Sequence, residues 1–327
     1  MLLDQFLRRL LWRARRTVRP GVDNEPIVSV ERARPPQPPR PALVRPRRRA
    51  RWARTLLGFI VTFAVLATGY AFVVVANSRA PLDAGFIAPL EPGGARASSA
   101  AAALLLLGAA EPLAVADDRL VIPNGRRMRV EQIQAGAGEA AAGYIDLMIE
   151  AATPPDAALV DARDAVRAED PAAARDALVR HNSRIARGRA ASGAGPDRVA
   201  AIAEAAAAAC EREGAALLDV ADREPGWMAS REAQARVSHA RGVAYGWLLL
   251  LRGALADAPD VAASTVVEAS IPLDALAAAA ERQPLLLFNG GPQAPWSPPH
   301  VRAYADEFVR AAAGARALAS AARKPPG

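Results

Sequence analysis

The chain has 327 residues, 52% of them hydrophobic with much of that share alanine, and a formal net charge of +7. Its only cysteine, Cys210, excludes an intramolecular disulfide and a cysteine zinc cluster. Its only lysine, Lys324, is followed by Pro325, which excludes a GxxxxGK[ST] phosphate loop and Ser–Lys dyads of the SxxK kind.

The charge is unevenly divided. Residues 1–54 hold 15 arginines against Asp4, Asp23, Glu25 and Glu31, a net of +11, whereas residues 55–327 hold 26 basic and 30 acidic groups, a net of −4. A basic total of this origin fits a membrane-orientation signal rather than phosphate binding, so no nucleic-acid partner is expected. Within this segment, Leu3, Phe6, Leu7, Leu10 and Leu11 recur at helical spacing among Arg8, Arg9, Arg13, Arg15 and Arg16. The pattern predicts a basic amphipathic helix suited to an anionic leaflet. From Pro20 to Arg51 the Pro/Arg-rich composition reads as an extended linker.

Leu56–Ala76 carries no charge and is bracketed by Arg54 and Arg79, with Trp52 at one interface. At about 1.5 Å per residue such a helix spans roughly the 30 Å hydrocarbon core, so residues 55–77 are read as one transmembrane helix. The apolar run starts too late for an ordinary cleavable signal peptide. Residues 35–54 hold seven arginines and residues 77–96 only Arg79 and Arg96. By the positive-inside rule the N-terminus is cytoplasmic and the remainder lies across the inner membrane, in the periplasm of a bacterium. Gly58, Ala64, Ala67 and Gly69 offer small-residue contacts for a partner within the membrane.

Residues 78–99, rich in Pro, Gly and small side chains, read as a stalk, and residues 100–327 as a helical domain. Ala100–Ala110 is apolar but too short to span. Helices are expected over Arg129–Ala152, Asp156–Ala168, from Pro171 after an Asp170 cap, over Asp197–Ala221 and over Ser230–Ala256. Val243, Trp247, Leu250, Leu251 and Leu255 make the last of these the expected centre of the domain. Ile271-Pro272-Leu273-Asp274 is expected to open a short helix ending at Arg282, and a final helix runs from near Pro299 to about Ala322. The fold class is all-α: a cytoplasmic tail, one membrane helix and an extracytoplasmic helical bundle.

The stretch from Ala240 to Ala321 contains ARGVAYGWLLLLRGAL, then ERQPLLLFNGG, then SPPHVRAYADEFVRAAAGARAL. It resembles an uncharacterised bacterial single-pass inner-membrane family known only as domain of unknown function 2333, chiefly at Pro284, Leu286, Asn289, Gly290 and the two flanking helices. The resemblance implies the same plan of short tail, single membrane helix and helical extracytoplasmic domain. It implies no activity, ligand or catalytic residue.

Catalytic motifs are missing. Neither a GxSxG elbow nor an HExxH pair occurs, and His181, His239 and His300 have no second ligand at metal spacing along the sequence. His239, near Ser238 and Arg241, reads as a packed or solvated side chain. Adjacent acidic pairs such as Asp306-Glu307 splay on a helix, while carboxylates brought together from distant helices are invisible to spacing. No cofactor, metal or catalytic residue is expected. Asn289, Gly290, Gly291 and Trp296, in the least helix-like stretch, are the candidate binding residues. The preferred function is a non-enzymatic envelope module that binds a protein or cell-wall component. The alternative is a membrane-tethered hydrolase acting on an envelope polymer through carboxylates, and a buried, convergent carboxylate or histidine cluster would sink the first.

Overall fold

The computed structural model describes residues 55–69, 82–83, 85–86, 88, 93–107, 125–191, 194–223, 230–282 and 300–324. The chain divides into two units, Met1–Val61 and Thr62–Gly327, and of the first the described residues are 55–61. Every described secondary-structure element is helical, as the apolar periodicity and alanine content lead one to expect.

Helix α1 covers residues 55–69, and all of it is exposed. Leu56, Leu57, Phe59, Ile60, Val61, Phe63, Val65 and Leu66 each leave more than half of their surface uncovered. The Thr68 hydroxyl donates to the Ala64 carbonyl at 2.7 Å, so its polar group is satisfied within the helix. Among the described residues no helix is long and apolar enough to cross a membrane. The remainder of the expected span, residues 70–76, lies outside the described residues, as do the N-terminal amphipathic segment and the Pro/Arg linker.

The bundle consists of α2 (Arg96–Leu105), α3 (Gly125–Glu150), α4 (Ala157–Arg167), α5 (Pro171–Ala186), α6 (Pro196–Arg223), α7 (Arg231–Asp257), α8 (Pro259–Ser264), α9 (Val266–Glu281) and α10 (Val301–Ala322). Helix starts follow the expected chemistry. Asp156 accepts from the Ala158 N–H at 2.8 Å, Asp170 from Ala173 at 2.9 Å ahead of Pro171, and Ser230 from Ala233 at 3.1 Å. Each such cap contributes about 1 kcal/mol. Helix α2 is capped from a distance instead: the N–H groups of Arg96 and Ala97 donate to the Asp257 carboxylate at the end of α7, at 2.7 and 3.0 Å. Burial pushes the Asp257 carboxyl above its usual range, opposed by these two hydrogen bonds.

Helix α7 is the hub. It packs on α2, α3, α6, α8, α9 and α10, and it buries Val243, Trp247, Leu250, Leu251 and Leu255, the side chains that marked it in the sequence. Its closest neighbour is α3. Gly242 lies so near that a methyl group would overlap the Ile133 carbonyl oxygen, and Gly136 on α3 lies equally near the His239 carbonyl. Two glycines thus bring the helix axes together and fix the register of the residues beside them. Helices α6 and α10 form the other tight pair, where Ile202, Ala206, Ala209, Cys210 and Leu217 of α6 are all buried and Phe308 packs against Gly214.

Helix α2 begins at Arg96, within the segment expected to be a stalk, α3 begins at Gly125 rather than Arg129, and a third boundary departs further from expectation. Pro272 does not open a helix; it lies inside α9, which begins at Val266. Proline removes one helical hydrogen bond and ordinarily marks a start or a kink. Here Pro272 is buried, and its ring nitrogen and Cδ lie about where a Gly314 side chain on α10 would begin, so interhelical packing overrides the local preference.

Candidate functional site

Close approach of α3 to α7 brings together three chemically competent side chains. Glu139 sits three residues after Gly136, His239 three residues before Gly242, and α6 supplies Glu213, so i,i+3 neighbours of the two packing glycines face one another. The imidazole bridges the two carboxylates: His239 Nε2 is 3.4 Å from Glu139 Oε2, and Nδ1 is 3.5 Å from Glu213 Oε2. One ligand atom from each residue lies within 4.8 Å of the others. Arginines hold the outer oxygens. Arg236 donates to Glu213 Oε1 at 2.7 Å and Arg212 to Glu139 Oε1 at 3.3 Å. The Glu213 side chain is 4% exposed and His239 16%, while Glu139 at 43% opens to solvent.

Cys210 precedes Glu213 by nearly one turn and is buried. Burial first, then the nearby Glu213 and Glu211 charges, pushes its thiol up to about 12. It is therefore a packed thiol at neutral pH and neither nucleophile nor ligand.

Two other buried polar clusters lie elsewhere in the bundle; in the first, Asp156 Oδ2 and both His181 ring nitrogens make no hydrogen bond. Asp156, the α4 cap, lies 3.2 Å from His181 Nδ1 and 3.4 Å from Arg184 Nε. Burial holds the His181 imidazole below its ordinary value, against the pull of Asp156. At the α9–α10 junction Glu307 is gripped by Arg282 through Oε1 at 3.0 Å and by Arg310 through Oε2. The Tyr304 hydroxyl donates to the Arg282 carbonyl at 2.8 Å, and the Arg282 guanidinium stands 5.8 Å from the Tyr304 ring centre. Burial raises the Tyr304 phenol well above its ordinary range.

The candidate binding residues Asn289, Gly290, Gly291 and Trp296 lie outside the described residues. His300, read as part of a helix start, is the cap of α10, its Nδ1 accepting from the Ala303 N–H at 3.2 Å. Sequence reasoning passed over Glu139 and Glu213. The signal for Glu139, a glycine three positions away that pairs with the one three positions from His239, becomes readable only once α3 and α7 are known to pair, and Glu213 on α6 carries none.

The described residues enclose several cavities, three of which are well defined. One of about 330 Å³ is walled by Phe86, Arg96, Leu249, Arg252 and Gly253; one of about 550 Å³ by Leu147, Glu150, Asp197 and Arg198; and one of about 570 Å³ by Leu104, Leu107, Glu131, Glu169 and Asp170. None of the three is lined by Glu139, Glu213 or His239. No protein-family model, no curated protein and no solved structure matches this chain.

Proposed function

We propose that the chain is a single-pass protein of a bacterial inner membrane, anchored by α1 and its continuation to Ala76, with the arginine-rich segment cytoplasmic and the bundle periplasmic as a binding or scaffolding module. The observation that carries the anchor is α1 itself: an uncharged helix whose Leu, Ile, Val and Phe side chains are uniformly exposed. Uniform apolar exposure is costly in water and favourable in hydrocarbon. The split of charge, +11 before the segment and −4 after it begins, supports the orientation. The likeness of Ala240–Ala321 to the uncharacterised inner-membrane family belongs to the same proposal. Partners of the module are then an envelope protein or a cell-wall component.

Topology is tested by thiol labelling, because the sole native cysteine is buried and its thiol stays protonated. In spheroplasts an impermeant maleimide reacts with Arg187→Cys, at an exposed position, whereas Arg13→Cys reacts only after permeabilisation. The opposite pattern reverses the orientation. Release of the protein by alkaline carbonate removes the anchor.

The Glu139–Glu213–His239 cluster favours a second reading, the membrane-tethered hydrolase. A cluster of this kind, buried throughout, would sink a non-enzymatic module; here only Glu213 is buried, with Glu139 43% and His239 16% exposed, so it withdraws the absence of converging acid–base groups as support for the module. The binding module stays ahead because each glutamate is already tied to an arginine and none of the three cavities reaches the cluster. Purified peptidoglycan incubated with the solubilised full chain separates them: soluble fragments that disappear with Glu139→Gln decide for the hydrolase, and an intact polymer that co-sediments with the protein decides for the module.

A further inference from the structure

Where α3, α6 and α7 meet, a carboxylate oxygen faces a ring nitrogen. Glu213 Oε2 and His239 Nδ1 are 3.5 Å apart, both are buried, and neither makes a hydrogen bond. Glu213 is more than nine-tenths buried, and its free oxygen points at the imidazole. Leaving a buried carboxylate oxygen without a donor costs about 1–3 kcal/mol or more, a cost that a bound cation would relieve. The arginines contribute to this arrangement. By taking Oε1 of each glutamate, Arg236 and Arg212 turn both Oε2 atoms inward towards His239.

We propose that Glu139, Glu213 and His239 bind one divalent transition-metal ion of the zinc class. Zinc–ligand bonds of about 2.0–2.1 Å in tetrahedral geometry set neighbouring ligand atoms about 3.4 Å apart. One ion takes a single ring nitrogen, so one of the two carboxylate–imidazole separations, 3.4 Å at Nε2 or 3.5 Å at Nδ1, serves as an edge of that tetrahedron, and one ligand atom from each of the three residues lies within 4.8 Å of the others. Three protein ligands leave a fourth position for water or a bound group, and the half-exposed Glu139 gives the ion a route in.

The charge balance narrows the choice of ion. Two guanidinium groups offset the two carboxylates, so the site offers no surplus of negative charge to a hard cation. Its distinguishing ligand is the imidazole, which suits zinc and cobalt over magnesium and calcium. The arginines act as outer-shell groups that orient the carboxylates, a role usually filled by hydrogen-bonding partners of metal ligands. The inference stands whether the bundle binds or hydrolyses its partner, and whether or not α1 is a membrane anchor.

The test uses the full chain in detergent, stripped with a chelator and titrated with cobalt(II) chloride, then zinc(II) chloride. One equivalent of cobalt should develop visible ligand-field bands, one equivalent of zinc should abolish them, and millimolar magnesium or calcium should leave them unchanged. His239→Gln and Glu139→Gln should each weaken zinc binding by more than about tenfold, since the loss of even an outer-shell partner costs that much. His181→Gln and His300→Gln should bind as the parent does. Far-UV circular dichroism identifies any variant that fails to fold, and the partly exposed Glu139 provides a variant that keeps the buried ion pair of Glu213 intact. Absence of saturable binding overturns the proposal. So does zinc binding that is indifferent to both His239→Gln and Glu139→Gln, or ring resonances of His239 that show a bridging imidazolium unresponsive to zinc.

Discussion

Two junctions of the bundle bury a glutamate of similar exposure and use it in opposite ways. At the α9–α10 junction Glu307 has both oxygens occupied, one by Arg282 and the other by Arg310, and the Tyr304 ring and hydroxyl complete the enclosure. At the α3–α6–α7 junction Glu213 has one oxygen on Arg236, and its other oxygen faces a ring nitrogen that offers it no hydrogen bond. Burial is nearly equal, 6% against 4% side-chain exposure. At these two junctions the difference lies in the donors around the carboxylate, and Asp156, whose Oδ2 also makes no hydrogen bond beside His181 Nδ1, resembles the second.

The comparison is broken most forcefully at Glu307. Replacement by Ala leaves Arg282 without its partner at a packed junction, and loss of one member of a buried pair costs about 3–5 kcal/mol. The lower end applies, because Arg310 is 64% exposed and regains water. Chemical denaturation of the full chain in detergent should show the loss, while the Glu139–Glu213–His239 geometry, on other helices, should survive it. The next largest effect comes from Gly242→Ala. Its methyl group would overlap the Ile133 carbonyl, and relieving an overpacked contact of this kind costs about 1–3 kcal/mol. That relief separates α3 from α7 and moves Glu139 away from His239, so this variant should disrupt the α3–α6–α7 cluster and leave the Arg282–Glu307 pair intact. Hydrogen exchange of the two junctions, measured side by side, checks the selectivity.

The extent to which this arrangement could be read from the chain follows the range of the forces involved. Helix α7 was legible because Val243, Trp247, Leu250, Leu251 and Leu255 recur on one stripe. The starts of α4, α5 and α7 were legible because Asp156, Asp170 and Ser230 cap within three residues of themselves. Such signals are local. Pro272 misled because its placement is set by Gly314 on another helix, and the cap on α2 comes from Asp257, which no local rule connects with Arg96. Glu139 and Glu213 escaped notice for the same reason: each looks like an ordinary helical carboxylate until two glycines bring α3 against α7. The candidate binding residues Asn289, Gly290, Gly291 and Trp296 fall outside the described residues, although α9 and α10 are joined through Arg282, Glu307 and Tyr304.

A third, titratable polar group sharpens the contrast further. His181 is buried beside Asp156 and Arg184, and burial holds its imidazole below the ordinary value of 6.5. A histidine whose folded pKa is depressed binds fewer protons folded than unfolded. Its contribution to stability is therefore present above the unfolded pKa and is lost as pH falls below it. Unfolding free energies measured from pH 7.5 down to about 5 should fall less steeply for His181→Asn than for the parent chain, the unfolded histidine titrating near about 6.5.

The smallest effect is expected at Glu139, and it discriminates most cleanly. Its carboxylate is 43% exposed and its arginine partner, Arg212, is 62% exposed, so the pair is screened by solvent and contributes less than about 1 kcal/mol. Glu139→Gln should leave the unfolding midpoint close to that of the parent chain. Glu307→Ala should lower it substantially, although both variants remove one carboxylate from an arginine. If Glu139→Gln proved as destabilising as Glu307→Ala, the α3–α6–α7 cluster would be a structural clamp of the same kind, and the free Glu213 oxygen would owe its position to packing alone. A small stability change leaves Glu139 with no structural task large enough to account for its place opposite His239, and directs attention to what the three side chains bind.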